Sequence, residues 1–287
     1  MPNAITQLSD ESFEVFLAQI NAFDVIDLRQ VTFIDPYGMV GILEAGRMFS
    51  QKGTMKTLLL PESDNVLKYL ERMDFFRYAA RFFQIDHEGD DLPDRYSRSS
   101  YSDVLLEITP IKKSADIHFI VGKVKERAHT ILSKHLHYDE GAINGFIVAL
   151  SEVCQNIVEH SENTGFVGIQ KYRFQKLEKN VVKIAVMDLG IGFKRSLGER
   201  YKIENDLEAV DKALFHAVSR HADEGRGHGL AAVRRFTNKW NGKLSIRSGS
   251  AKLAVIPEWA WGRKREVNLR YFPGAQINIM LPEVSPP

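Results

Sequence analysis

A single cysteine, Cys154, stands among 287 residues. It excludes an intramolecular disulfide and any cysteine-based metal cluster. An excess of one charge is also lacking: 38 Lys and Arg against 37 Asp and Glu leave a net charge of +1. A surface dedicated to DNA or RNA needs a clustered basic excess to neutralise phosphates, so no nucleic-acid partner is expected. Arg263-Lys264-Arg265 is the one dense basic run, and three such residues suit a solvated turn. No apolar stretch approaches the ~20 residues that cross a bilayer, and the opening segment 1–14 lacks the character of a secretory leader. The expectation is a soluble chain in the reducing cytoplasm with no membrane partner. No G-x-x-x-x-G-K-[ST] run occurs, which removes P-loop NTPases.

What is present is the balance of a globular protein, 44% hydrophobic and 26% charged, with length for two ordinary domains of roughly 150 residues each. Residues 86–102, DHEGDDLPDRYSRSSYS, carry almost no apolar anchors. Such a stretch buries too little surface to offset the entropy of ordering it. It is expected to be a linker, taken as 86–103, between an N-terminal domain (1–85) and a C-terminal domain (104–287). The first domain alternates strand and helix signals. β-Branched runs lie within 23–35, helical spacing within 39–50, an apolar run at 56–60, and helical spacing again within 65–76. That order implies a parallel-leaning sheet carrying helices. The second reads as strand 104–108, helices 117–136 and 142–160, strands 166–174 and 181–187, and helices 207–218 and 230–240. Closing strands follow at 244–247, 253–256 and 276–281. Strands and helices are partly segregated, as in an α/β sandwich with helices on one face.

Three motifs could carry chemistry. In helix 142–160 the residues Ile143, Phe146, Ile147, Leu150, Cys154 and Ile157 form an apolar stripe, which leaves Glu152 and Asn156 together on the opposite side at i, i+4. A carboxylate there can accept a proton, and an amide oxygen can ligate a hard cation such as Mg²⁺. The same pair is equally what an ordinary exposed helix face offers. Asp188 ends an apolar strand and opens Asp-Leu-Gly-Ile-Gly-Phe. A carboxylate there can accept from a base amino group, and bare glycine backbone lets a ring approach. Gly225-Arg226-Gly227-His228-Gly229 precedes Leu230 and a helix, and successive glycines at a helix start can wrap an anion. Singly, the last two also read as a capped turn and a flexible loop.

In this order the three motifs, followed by Phe272-Pro-Gly-Ala-Gln-Ile-Asn-Ile-Met-Leu-Pro282, resemble the GHKL or Bergerat ATP-binding superfamily. That superfamily is shared by gyrase, the heat-shock chaperone of ninety kilodaltons, histidine kinases and MutL. Residues 149–160, ALSEVCQNIVEH, look closest to the anti-sigma-factor serine kinases. The resemblance spans about residues 104–282 and implies ATP and Mg as cofactors. It implies Glu152 as general base, Asn156 as Mg²⁺ ligand, and Asp188 as partner of the adenine amino group, with Gly190 and Gly192 beside it. Gly225, Gly227 and Gly229, with His228 and Leu230 in the same run, would cradle the phosphates under a lid over 194–224. Ile157 stands where the family usually has Ala, and His160 also matches the kinase pattern.

The N-terminal stretch 25–38, VIDLRQVTFIDPYG, resembles a STAS domain, the fold of anti-sigma-factor antagonists, with opening strands shortened to about 4–8. The antagonists carry D-S-S-G, whose first Ser accepts phosphate. Here the motif is Asp35-Pro36-Tyr37-Gly38, and proline has no hydroxyl. Tyr37 keeps one, although an aromatic at a strand–helix junction commonly packs. The fold class implied is α/β, a STAS-like domain followed by a Bergerat-type sandwich. Two functions follow. One is an ATP-dependent regulator that hydrolyses ATP or transfers its γ-phosphate, with the STAS domain docking a protein partner. The alternative is a non-catalytic, ATP-gated partner-switching module. A sensor histidine kinase core is disfavoured, because His129, His135 and His137 lie on or near one helix without a second hairpin helix. A gyrase- or MutL-type machine is disfavoured by the neutral charge and by no transducer after residue 287. Resemblance to the kinases implies a homodimer.

Overall fold

The computed structural model describes residues 5–86, 103–174, 178–216 and 229–284. The N-terminal elements are β1 (Gln7–Leu8), α1 (Phe13–Ala22), β2 (Val25–Asp27), β3 (Phe33–Ile34), α2 (Pro36–Gln51), β4 (Lys56–Leu59), α3 (Asp64–Arg72), α4 (Phe75–Ala79) and β5 (Phe83–Asp86). The strands pair in parallel, β2-β4-β5 in one sheet and β1-β3 in another. Asp35 caps α2, its Oδ1 accepting from the Gly38 N–H at 2.9 Å. Pro36 follows in the first turn, where its missing donor is no loss. Every α2 residue from Pro36 to Met48 is buried, because this helix packs on both sides.

The C-terminal elements are β6 (Val104–Ile111), α5 (Ser114–Ala128), α6 (Lys134–Leu136), α7 (Glu140–Asn156), β7 (Gly165–Phe174), β8 (Lys179–Asp188), α8 (Gly192–Gly198), α9 (Asp206–Phe215), α10 (Gly229–Lys239), β9 (Lys243–Gly249), β10 (Ala251–Val255), β11 (Arg265–Glu266) and β12 (Phe272–Pro282). Seven strands form one antiparallel sheet in the order β11-β10-β9-β12-β8-β7-β6. Helices α5, α7 and α10 cover one face. The helix read over 117–136 is broken into α5, a wider π turn at His129–Ser133, and α6. The continuous helix through Glu140–Ser161 is long and apolar enough, by length and composition, to cross a bilayer. Here its apolar stripe builds the domain core.

The second face of the sheet is covered by the N-terminal elements, which share one core with it. Along β8, Val182, Ile184 and Val186 join the core under the helices, whereas Ala185 and Met187 join the core shared with Met39, Leu43 and Phe13. This is the period-2 alternation of a strand buried on both sides. Cations on the sheet meet acids of the N-terminal elements and the turns between them: Lys183 with Asp35 at 2.7 Å, Lys243 with Glu11 at 2.7 Å, Arg247 with Glu14 at 2.6 Å and Lys252 with Asp10 at 2.7 Å. The hydroxyls of Tyr69 and Tyr172 bond across the same seam. Taking two charges out of water costs several kcal/mol per ion, so each must meet its partner in good geometry. The 86–103 linker lies outside the described residues except for its two ends. Asp35, the acid of the Asp-Pro-Tyr-Gly run, is locked onto Lys183. Tyr37 is 1% exposed and sits edge-on to Phe13 with ring centroids 5.2 Å apart, so it packs.

Candidate functional site

Asp139 starts α7, its side chain accepting from the Ala142 N–H at 2.6 Å. The stripe of Ile143, Phe146, Leu150 and Cys154 then turns inward, while Glu152 and Asn156 remain half-buried on the other side. Asn156 Nδ2 donates to the Glu152 carbonyl at 2.9 Å, which leaves Oδ1 as its acceptor. After Asn156 the helix widens into a π turn, Ile157–Ser161, a feature frequent at functional sites. His160 lies in this turn, its Nε2 3.9 Å from Glu159.

The widened turn and the loop after β8 are bound together. The Ile191 N–H donates to the Ser161 carbonyl at 3.0 Å. A Cβ on Gly190 would overlap that carbonyl, so only glycine allows the approach. Asp188 and Ile157 converge on Gly165, where an added Cβ would lie 2.6 Å from Ile157 Cδ1 and 3.2 Å from Asp188 Cβ. Ile157, which replaces the usual Ala, is 2% exposed and fills this junction.

The start of α10 closes on Glu152 from the other side. A Cβ on Gly229 would lie 2.5 Å from Glu152 Oε2. Helices α7 and α10 approach closely at Gly145, where a Cβ would be 2.8 Å from the Phe236 ring. Glu152 therefore lies beside the N-terminal end of α10, where backbone N–H groups lack helical partners. Leu230 is buried in the core beneath. Gly225, Gly227 and His228 lie outside the described residues, as does 217–224 of the lid. The described part of that lid is not loose: Leu197 of α8 and Val210 and Leu214 of α9 belong to the core. Beside the Asp188 loop opens a cleft of ≈ 790 Å³ that Gly190 and Gly192 line with Asn163, Arg195 and Tyr271. Glu152, Asn156, Asp188 and Gly229 are not among its lining residues, so it meets the predicted site at the two glycines.

Residues outside the predicted set complete the electrostatics. Asp188 is 4% exposed, and its Oδ1 accepts from the Gly190 N–H at 2.7 Å. Burial pushes its carboxyl up to about 7, against the pull of the Gly190 and Ala275 N–H groups and the charge of Arg47. On α2, Glu44 is fully buried beside Arg47 at 2.7 Å, and burial lifts it to about 8 despite Arg47, with Asp188 adding to the rise. Sequence reading passed over Glu44 and Arg47, although two charges inside an otherwise apolar helix were the available signal. Both folded-state values lie above the ordinary carboxyl range. The stability each gives is complete below about pH 4 and is lost as pH climbs through about 7 and 8. At about 1.4 kcal/mol per pH unit and roughly 2–4 °C per kcal/mol, the unliganded melting temperature is expected to be at least roughly 10 °C lower at pH 8.5 than at pH 5. The Glu44→Gln variant should lose about half of that fall. Calorimetric scans across pH check this, and a melting temperature that rises to pH 8.5 would refute it.

Comparison with known proteins bears on residues 141–281, which match the family described as Histidine kinase-, DNA gyrase B-, and HSP90-like ATPase. No curated protein matches the chain. Among solved structures, the chain is similar to the histidine kinase domain of the blue-light activated histidine kinase EL346 from Erythrobacter litoralis, at 12% identity and a TM-score of 0.28 over 95% of this chain and 93% of that one. The α/β architecture of the C-terminal half, its ordered motifs and the family match agree: residues 141–281 carry a GHKL-type ATPase domain of the histidine kinase-, gyrase B- and HSP90-like family.

Proposed function

We propose that the chain is a regulator that binds ATP with Mg²⁺ and hydrolyses it or transfers its γ-phosphate, in the manner of an anti-sigma-factor kinase coupled to a STAS-like interaction domain. The single observation that carries this reading is the meeting of Glu152 with Gly229, the glycine that opens α10, on the same helix whose end touches Asp188 through Gly165. The residues suit the ligands. The glycine at 229 lets the start of α10 approach the Glu152 carboxylate closely, an added Cβ falling 2.5 Å from Oε2, and Asn156 has its amide nitrogen engaged and its oxygen for a hard cation. Asp188 offers a buried carboxylate whose bonded partners are backbone N–H groups. In this reading Asp188, with Gly190 and Gly192 beside it, accepts from the adenine amino group. Asn156 holds the Mg²⁺, and Glu152 takes the proton of the attacking nucleophile. The glycine run 225–229, with His228 in it, would cradle the phosphates, while Leu230, buried in the core, anchors the start of α10. When bound, Mg-ATP supplies the transferable phosphoryl group and the charge that balances it.

A specific observation favours the second reading, a non-catalytic ATP-gated interaction module. Pro36 has no hydroxyl, Tyr37 is buried, and Asp35 is held by Lys183, so the first domain offers no phosphoacceptor at the STAS-like motif. Both readings require nucleotide binding and a protein partner, in the cytoplasm. Isothermal titration with ATP, ADP and GTP, with and without Mg²⁺, is the test. ATP binding that Mg²⁺ strengthens and GTP does not match is expected, and no heat with any nucleotide would end both readings.

A further inference from the structure

The ATPase domain is gripped from outside by one side chain close to the proposed adenine site. Arg47 of α2 is 7% exposed. Its Nη2 donates to the Thr164 carbonyl at 2.7 Å and lies 2.7 Å from Glu44 Oε2, while Nη1 bonds the Thr164 hydroxyl. Its guanidinium lies over the Phe166 ring, 5.8 Å from the centroid. From Thr164 the bonds continue without a gap. The Thr164 N–H donates to Asn163 Oδ1 at 2.8 Å, and Asn163 Nδ2 donates to the Leu189 carbonyl at 3.2 Å. Leu189 lies between Asp188 and Gly190, and the next residue of β7, Gly165, pairs with Asp188. Ser161 ties the same turn to this loop, bonding Asn163 through its hydroxyl and Ile191 through its carbonyl.

We propose that Arg47 is a positioning residue for the Asp188–Gly190 loop, so that docking of the N-terminal domain sets the nucleotide affinity and base selectivity of the ATPase domain. This rests on the reading of Asp188 as the adenine partner. A guanidinium has five donors in a fixed fork. Spread over Glu44 and both oxygens of Thr164, it fixes the turn in one place relative to α2. Withdrawing it leaves the Thr164 carbonyl without this donor and frees the Asn163 turn to shift, and with it the carbonyl of Leu189. A site that discriminates by hydrogen bonds to a base depends on sub-ångström placement of its acceptors. The Arg47 charge also favours the ionised form of Asp188, the form that accepts.

The test uses the full chain and titrates ATP and GTP into wild type, Arg47→Gln, Asn163→Ala and the double variant, with Lys243→Gln as control. Lys243 is an equally buried cation of the same seam, paired with Glu11 and Asp10 and opposite Met280 in the register, at the end of the sheet away from Asp188. Arg47→Gln and Asn163→Ala are each expected to weaken ATP binding about tenfold, within the usual span of coupling between sites, and to narrow the ATP-to-GTP ratio. The double variant should be little worse than either single one, because both break one chain of bonds. Lys243→Gln should lower the melting temperature and leave both affinities unchanged. Should Arg47→Gln fail to fold, Asn163→Ala alone carries the selectivity readout. Equal ATP affinity and an unchanged ATP-to-GTP ratio in Arg47→Gln or, where that variant does not fold, in Asn163→Ala overturn the positioning role alone. So does an equal loss in Lys243→Gln. Absence of ATP binding by the wild type overturns the adenine reading and this inference together.

Discussion

Asp188→Asn is expected to bind ATP at least roughly 100-fold more weakly than wild type, with little loss of fold. The change is small in volume and keeps one oxygen, which can still accept from the Gly190 N–H as Asp188 Oδ1 does at 2.7 Å. The second oxygen becomes an NH₂ donor. In the proposed site it would face the exocyclic amino group of adenine, also a donor, so a bond is exchanged for two buried donors without an acceptor. Leaving buried polar groups unmatched costs about 1–3 kcal/mol each, and 1.4 kcal/mol is a factor of ten. Sites built on such bonds reject ligands that cannot supply the partner by about 10⁴. The surrounding packing should hold, since Asn fills the same space beside Gly165 and Gly274. Titration calorimetry on the variant, with circular dichroism to confirm folding, decides it. An Asn variant that binds ATP as wild type does would place the adenine elsewhere.

Much of the framework that carries the candidate site was legible in the sequence because its signals are local. The stripe from Ile143 to Ile157 located α7 and put Glu152 and Asn156 on its polar side, and an apolar strand ending in Asp-Leu-Gly-Ile-Gly located the turn at Asp188. Such patterns state which face of an element is buried, not what buries it. That limit explains the largest difference from the expectation, the packing of the N-terminal elements on the second face of the sheet. Its traces were present as cations inside apolar strands, Lys183, Lys243, Arg247 and Lys252, and as the acids Asp10, Glu11 and Glu14 near the start of the chain. Their pairing spans more than 140 residues, a separation at which no periodicity operates. Helix α1 was missed although Phe13, Phe16, Leu17 and Ile20 have helical spacing and are buried. The π turns at His129–Ser133 and Ile157–Ser161 were beyond reach, since one extra residue in a turn leaves the apolar pattern nearly intact.

Glu152→Ala is expected to separate binding from chemistry. Truncating the side chain removes a carboxylate at the N-terminal end of α10 without touching the core stripe of α7, because Glu152 is half-buried on the helix's other side. It also removes a negative charge from the place where phosphates would lie, so Mg-ATP affinity should be retained or slightly improved. A positioned general base contributes typically 10²–10⁴-fold to a proton-transfer step. ADP release, measured as a steady-state rate at saturating ATP, should therefore fall at least roughly 100-fold while the dissociation constant stays within about threefold. Ala is the sharper substitution than Gln, since Gln keeps a hydrogen-bonding tip that can still orient water. The comparison also separates the two proposed functions. A catalytic regulator loses turnover in the variant, whereas a module that uses ATP only to order its lid shows none in either protein and binds ATP equally in both. Unchanged, measurable turnover in Glu152→Ala would remove Glu152 as the base while leaving ATP binding intact. The base would then have to be sought among the other acids near the Asn156 end of α7, with Glu159 the first to replace.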